Sequence, residues 1–222
     1  MAKLILARHG QSIWNQLNLF TGWVDIALSQ QGIEESFHIG QVISSLDIDV
    51  VYTSALVRAQ MTALIAMTVH SSKKIPYLEP KANDPMQQWY QKGSNSQGLI
   101  PAYTAWELNE RMYGDLQGKN KEEMMAEYGA EQVHQWRRSF LQAPPGGESL
   151  YDTASRAIPF FKRHILPKVL SGENVFVCAH GNSLRAIVMD IEQMSEQEVL
   201  KLEIATGEVL LYECTEGSLL RL

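Results

Sequence analysis

The chain has 222 residues, 45% hydrophobic, 9% aromatic and 20% charged, which is enough to bury a sizeable core and excludes a disordered chain. Its 19 Lys and Arg against 25 Asp and Glu leave a formal charge of −6. That balance argues against sequence-independent adhesion to nucleic acid or anionic lipid, so any anion must be held by a local basic pocket. Cys178 and Cys214 form no ligand or disulfide pattern, Leu4 to Ala7 is too short for a signal-peptide core, and no run is long enough to span a membrane; the expectation is a soluble cytoplasmic protein without membrane or nucleic-acid partners.

Lys3 to Ala7 is an apolar run ending in Arg-His-Gly, the form of a buried strand feeding a loop, and Asp47 to Thr53 and Asn174 to Ala179 read alike. Helical patterns alternate with these runs. This predicts a single α/β domain over 1–222: three layers, with a mostly parallel sheet flanked by helices. Ser29 caps a helix to about Ser45. A helix after Ser54 has Leu56, Ala59, Met61, Ala63, Leu64 and Met67 on its apolar side and Arg58 on its first turn. The segment Ser71 to Ala105 stands apart as insertion-like. It holds Pro76, Pro80, Pro85 and Pro101 without sustained periodicity, and reads as a lid, a contact surface with a short helix near Met86 to Lys92, or a partly disordered insertion. Asn120 caps a helix ended by Gly129, and Glu131 to Phe140 is a second helix with Val133, Trp136 and Phe140 on one side. Ser149 opens a longer helix that Pro159 and Pro167 should kink; Ser183 and Ser195 cap two more, and Val209 to Cys214 with Leu219 to Leu222 form a terminal hairpin or a last strand and its tail.

Two of the six histidines, His9 and His180, fall directly after apolar runs and directly before Gly10 and Gly181. In an open parallel sheet the carboxyl ends of the strands border the ligand crevice, so the two rings converge if their strands are neighbours. Glycine there lets backbone amides approach anionic oxygens, and Arg8 and Arg58 stand at the same edge, where a guanidinium grips phosphate in bidentate fashion. A phosphate held by two arginines beside an imidazole makes a phosphoryl-transfer site. The nucleophile must be a neutral ring nitrogen, so the other nitrogen of His9 should donate to a carbonyl, while His180 and the arginines stabilise the transferring oxygens without requiring a metal. Proton transfer also needs a carboxylate whose pKa is raised toward neutrality; Glu107 and Glu110 are the nearest candidates, and spacing does not choose between them.

Arg8-His9-Gly10-Gln11-Ser12, followed by Trp14-Asn15 and Phe20-Thr21-Gly22-Trp23, resembles the opening of the cofactor-dependent phosphoglycerate mutases, a branch of the histidine phosphatase superfamily. The resemblance continues through Tyr52-Thr53-Ser54, Arg58, Leu108 to Gly114, Leu116-Gln117-Gly118, Asn120-Lys121, Tyr128-Gly129, Gln135 to Arg138 and Ala179 to Ala186, in order over most of the chain. It implies that His9 is the residue phosphorylated, that Glu110 is the general acid/base, and that Arg8, Arg58 and His180 form the phosphate pocket. Asn15, Thr21, Gly22, Arg111, Tyr113, Lys121, Arg137, Arg138, Gly181 and Asn182 match substrate-binding positions, and Gly10, Gln11 and Ser12 are counted with them. The implied reaction interconverts 3-phosphoglycerate and 2-phosphoglycerate, with 2,3-bisphosphoglycerate priming the histidine and small phosphoglycerates as its partners.

The sequence departs from that pattern in several places. Gln11 stands where many members have Glu, the stretch before Trp106 is longer than in the common bacterial form, Pro144 to Glu148 is shorter, and the sequence ends at Leu222 without an extended tail. These differences bear on subunit number, a homo-oligomer included, and on the balance between mutase and phosphatase, because a leaky cover admits water. Competing readings are a phosphatase that passes the phosphoryl group from His9 to water and a phospho-ligand sensor without turnover. His38, His70, His134 and His164 read as surface or packing residues, Trp136 as core, and Met124 and Met125 as gap-fillers.

Overall fold

A computed structural model describes residues 1–80, 85 and 98–222. Strand β1 (Lys3–Arg8) is followed by a short helix α1 (Ile13–Gln16), α2 (Gln30–Val42), β2 (Val50–Ser54), α3 (Val57–Val69), β3 (Ile75–Leu78) and β4 (Leu99–Ala105). After the helices at 121–170 come β5 (Val175–Ala179), a helix at Gly181–Ile191 and the hairpin β6 (Val209–Thr215) and β7 (Ser218–Arg221). The described residues form a seven-stranded sheet in the order β3-β4-β2-β5-β1-β6-β7; the first five strands run parallel, and β6 and β7 pair antiparallel at one edge.

The apolar runs are continuous because the central strands are covered on both faces. Leu4, Leu6, Val175 and Val177 point to one side, against the helices at 150–165 and 181–191. Ile5, Ala7, Phe176 and Cys178 point to the other, against Ile39 of α2, Ile43 just after it, and Ala59, Ala63 and Met67 of α3. A satellite cluster of Phe20, Leu116, Met124, Val133 and Trp136 ties the helices at Lys121–Tyr128 and Ala130–Arg138 to the loop after α1.

Several expectations change. The segment 71–105 contributes β3 and β4 to the sheet, and the expected helix near Met86 to Lys92 lies outside the described residues. Pro76 and Pro101 concealed both strands, since proline cannot donate to a ladder; β3 is an edge strand, where a missing donor is tolerated. In α3 the buried side is Arg58, Ala59, Thr62, Ala63, Ala66 and Met67, whereas Leu64 is exposed. Two polar residues face inward there because the helix borders the crevice. Phe140 lies beyond its helix and packs with Leu150 and Val199.

Ser183 is three residues inside its helix, where its hydroxyl accepts from the His180 amide at 3.3 Å; His180 itself is the cap residue. The long helix runs through Pro159, then widens to a π turn at Phe161–Ile165, with the Leu166 amide reaching back to the Phe161 carbonyl, before Pro167 opens the last turn.

The loop after β1 is fixed by backbone contact with α2. A β-carbon on Gly10 would stand 2.2 Å from the Gly32 carbonyl oxygen, and one on Gly32 would stand 2.0 Å from that of Gln11. Gly32→Ala, which lies outside the crevice, is therefore expected to destabilise the fold by roughly 1–3 kcal/mol, read as a lower urea midpoint; an unchanged midpoint would show that the contact is slack.

Candidate active site

β1 and β5 pair in parallel with Arg8 opposite Ala179, and the His9 amide donates to the Ala179 carbonyl at 3.0 Å. The next residue on each strand is a histidine, and the two ring centroids are 4.7 Å apart, tilted by 59°. His9 Nδ1 lies 2.6 Å from the Gly10 carbonyl oxygen, which can only accept, so Nδ1 carries the hydrogen and Nε2 keeps its lone pair. His180 is set by Ser54. The Ser54 hydroxyl accepts from the Leu56 amide at 3.1 Å and lies 2.7 Å from His180 Nε2. That hydroxyl needs an acceptor, so it donates to Nε2 and leaves the hydrogen on His180 Nδ1, a buried atom without a partner among the described residues.

Both rings are held neutral. Burial pushes the His9 pKa well below the ordinary 6.5, followed by the charges of Arg58 and Arg8, against a smaller opposing effect of the Gly10 carbonyl. Burial, then Arg58, His9 and Arg8, do the same to His180.

A cavity of about 150 Å³ opens beside the rings. Arg58, on the first turn of α3 and fully buried, donates to the carbonyls of Gly22 at 2.8 Å and Val24 at 3.0 Å, and Arg8 donates to that of Ile204 at 2.6 Å. Arg8 Nε and Thr21 Oγ1 are buried on the cavity wall with no protein partner among the described residues. They leave one donor and one hydroxyl on the wall for an anionic oxygen; His180 Nδ1 is unpartnered as well, next to His9 and not on the cavity wall.

The structure separates the two carboxylate candidates. Glu107 is not on the cavity wall, whereas Glu110 lines it and is 9% exposed. Glu110 Oε1 accepts from the Arg111 amide at 2.8 Å, the Asn182 amide at 3.2 Å and Asn182 Nδ2 at 2.9 Å, so Oε2 is the oxygen left for a substrate. The expected rise in its pKa is not found in the ligand-free site. Burial pushes it up, but Arg8, the Arg111 amide, the Asn182 side chain and Arg58 together bring it below the usual value.

Asn15, Thr21, Gly22, Tyr113, Lys121, Arg137, Arg138, Gly181 and Asn182 also line the cavity, as expected. Burial, Arg137 and Arg8 lower the Lys121 pKa to about 8. His180, Gly10, Gln11, Ser12 and Arg111 do not line it. The Gly10 amide donates to Thr62 Oγ1, the Gln11 side chain accepts from Ser29 and its amide donates to Glu35, and Ser12 caps α1 with its hydroxyl on Asn15. Arg111 is buried behind the wall, donating to Tyr113 Oη at 3.0 Å and to the Arg137 carbonyl. Gly10, Gln11 and Arg111 are drawn away by partners distant in sequence and Ser12 by its own cap, none of which motif adjacency reveals.

The sequence reading missed three residues. Arg185 and Glu203 line the cavity, and Ser54 orients His180. Arg185 and Ser54 sit inside the motif segments, but spacing does not say which way a side chain points. Glu203, paired with Arg138 at 2.6 Å, gave no signal.

The depressed histidine pKa values carry a sign for stability. An unfolded imidazole takes up a proton near 6.5, while the folded rings resist it, so their contribution is full above that value and is lost as pH falls below it. Glu110 acts in the same sense at lower pH. The urea midpoint of the ligand-free protein is expected to fall as pH drops from about 7 to about 5. A profile equally steep in a His9→Asn, His180→Asn double variant would remove the rings as the cause.

Residues 4–79 and 90–220 match the histidine phosphatase superfamily (branch 1). The 2,3-bisphosphoglycerate-dependent phosphoglycerate mutase of Chlamydia pneumoniae is 56% identical over 216 residues, covering 96% of this chain and 94% of the relative. That of Chlamydia caviae is 58% identical over 214 residues, covering 96% and 93%. Among solved structures, an alpha-ribazole phosphatase from Shigella flexneri superposes with a TM-score of 0.76 at 20% identity, covering 99% of this chain and 94% of that one. A mycobacterial glucosyl-3-phosphoglycerate phosphatase complexed with VO3 gives 0.75 at 21% identity, covering 100% and 97%. The structural neighbours establish the three-layer fold. The sequence relatives, alike along nearly the whole length, place the chain more narrowly: it belongs to the 2,3-bisphosphoglycerate-dependent phosphoglycerate mutases of the histidine phosphatase superfamily.

Proposed function

We propose that this chain, as a single catalytic domain over 1–222, interconverts 3-phosphoglycerate and 2-phosphoglycerate in the cytoplasm through phosphorylation of His9. The observation that carries the reading is one cavity holding a ring nitrogen freed for attack, a carboxylate with one open oxygen, and two sets of cations. Arg8 and Arg58 stand at the histidines; Lys121, Arg137 and Arg138 add charge for a second anionic group, as a substrate bearing both phosphate and carboxylate demands. The unpartnered Arg8 Nε, Thr21 Oγ1 and His180 Nδ1 fit a phosphoryl group well. When bound, 2,3-bisphosphoglycerate supplies the phosphoryl group that loads His9.

His9 Nε2 attacks while its Nδ1–H stays on the Gly10 carbonyl, so no proton has to leave the ring. Arg8, Arg58 and His180 Nδ1–H stabilise charge on the equatorial oxygens. Glu110 is held ionised because Arg8, the Arg111 amide, the Asn182 side chain and Arg58 together outweigh burial. An incoming dianion offsets the charges of Arg8 and Arg58, which moves the carboxyl upward, toward the range where it donates a proton to a leaving oxygen and takes one from an attacking hydroxyl. The same anion favours the charged form of Lys121. Identity of 54–58% to mutases along nearly the whole chain favours the mutase over phosphatase or sensor.

Brief incubation with labelled 2,3-bisphosphoglycerate should leave acid-labile label on the His9 peptide, and His9→Ala should abolish it. In a coupled assay, phosphate release far exceeding 2-phosphoglycerate formation would instead establish the phosphatase. Arg137→Ala is expected to raise KM about tenfold with a smaller change in kcat, as loss of a charged hydrogen bond predicts; an unchanged KM removes that contact.

A further inference from the structure

Residues 109–113, which carry Glu110, form no helix or strand, yet Glu110 must be held to within a fraction of an ångström for proton transfer. The Arg156 guanidinium lies behind this segment, its side chain 8% exposed, outside the cavity wall. All five of its N–H groups are engaged. Nε donates to Glu148 Oε1 at 2.8 Å; Nη1 donates to the carbonyls of Glu107 at 2.7 Å and Asn109 at 3.0 Å; Nη2 donates to the carbonyl of Glu110 at 2.9 Å and to Glu148 Oε2 at 2.7 Å. Glu148 Oε2 also accepts from the Met112 amide at 3.0 Å, so the pair grips the chain on both sides of Glu110. Trp23 closes the arrangement, with Nε1 donating to the Glu110 carbonyl at 2.6 Å and the guanidinium lying over its ring at 5.4 Å.

We infer that Arg156, anchored by Glu148, is a positioning residue that sets where the Glu110 carboxylate stands. It supplies, from one planar fork, the hydrogen bonds that secondary structure would otherwise give this segment. Lysine has three donors and no fork, so it cannot reproduce the pattern. The inference rests on the reading of Glu110 as the group that protonates the leaving oxygen, and the test separates the two.

His9 phosphorylation is followed by rapid quench from two donors. One is 2,3-bisphosphoglycerate, whose alkoxide leaving group needs a proton; the other is p-nitrophenyl phosphate, whose nitrophenolate departs without one. The ratio of the two rates does not depend on the folded fraction, so a merely structural loss leaves it unchanged. Arg156→Lys is expected to lower the ratio at least about tenfold, in the same sense as Glu110→Gln. It should also speed hydrogen exchange of the Asn182 amide in the substrate-free protein, because that amide donates to Glu110 Oε1 from a different element. A ratio lowered in Glu110→Gln but unchanged in Arg156→Lys overturns the clamp alone. A ratio unchanged in both removes Glu110 from proton transfer and the clamp with it. If Arg156→Lys does not fold, Glu148→Gln is judged by the same two criteria.

Discussion

The pairing of β1 with β5 is the constraint from which the site follows. These strands are separated by most of the chain, yet their parallel register puts Arg8 opposite Ala179, so both chains turn away from the sheet at the same level and each delivers a histidine there. A slip of one residue would invert every side chain of β1, exposing Leu4 and Leu6 to the wrong face and moving His9 out of reach of His180. The two apolar layers therefore specify the approach of the two rings as firmly as they specify the fold.

Around this pair the protein concentrates positive charge that it does not neutralise by itself. Arg58 is buried, its guanidinium lowered to about 10 mainly by burial, and its hydrogen bonds in the described structure go to carbonyls. Among the described residues Glu110 is the one buried carboxylate on the cavity wall, and this field, with the Arg111 amide and the Asn182 side chain, holds it ionised. Keeping the histidines neutral and the arginines charged within one small volume is unfavourable until an anion enters. In the proposed function this imbalance favours an anion in the cavity and, once offset, moves the protonation of Glu110 in the direction that transfer needs.

Much of this was legible from local pattern. The apolar runs before His9 and His180, the Gly after each, and Arg58 one turn into a helix sufficed to bring the two rings and Arg58 to one sheet edge, because in a parallel sheet strand ends and helix starts gather there. Ser29, Asn120, Ser149 and Ser195 cap helices as read, because a cap is a contact between residues two or three apart. β3 and β4 were not legible, since their prolines suppress the strand signal and their stability comes from neighbours distant in sequence.

Residue identity and local spacing determined the class of chemistry: an imidazole after a strand, guanidinium groups at the same edge, and motifs that together name a family. Tertiary structure decided which groups face one another. It put Glu110 and not Glu107 on the cavity wall, turned Gln11 and Arg111 away from it, set the His180 ring against Ser54, and put Arg156 behind the segment that carries Glu110. The physical reason is range. Capping and periodicity act within a turn or two of the chain, whereas hydrogen bonds such as those from Arg156 to residues 107–110 join positions more than forty apart, and no spacing rule encodes them.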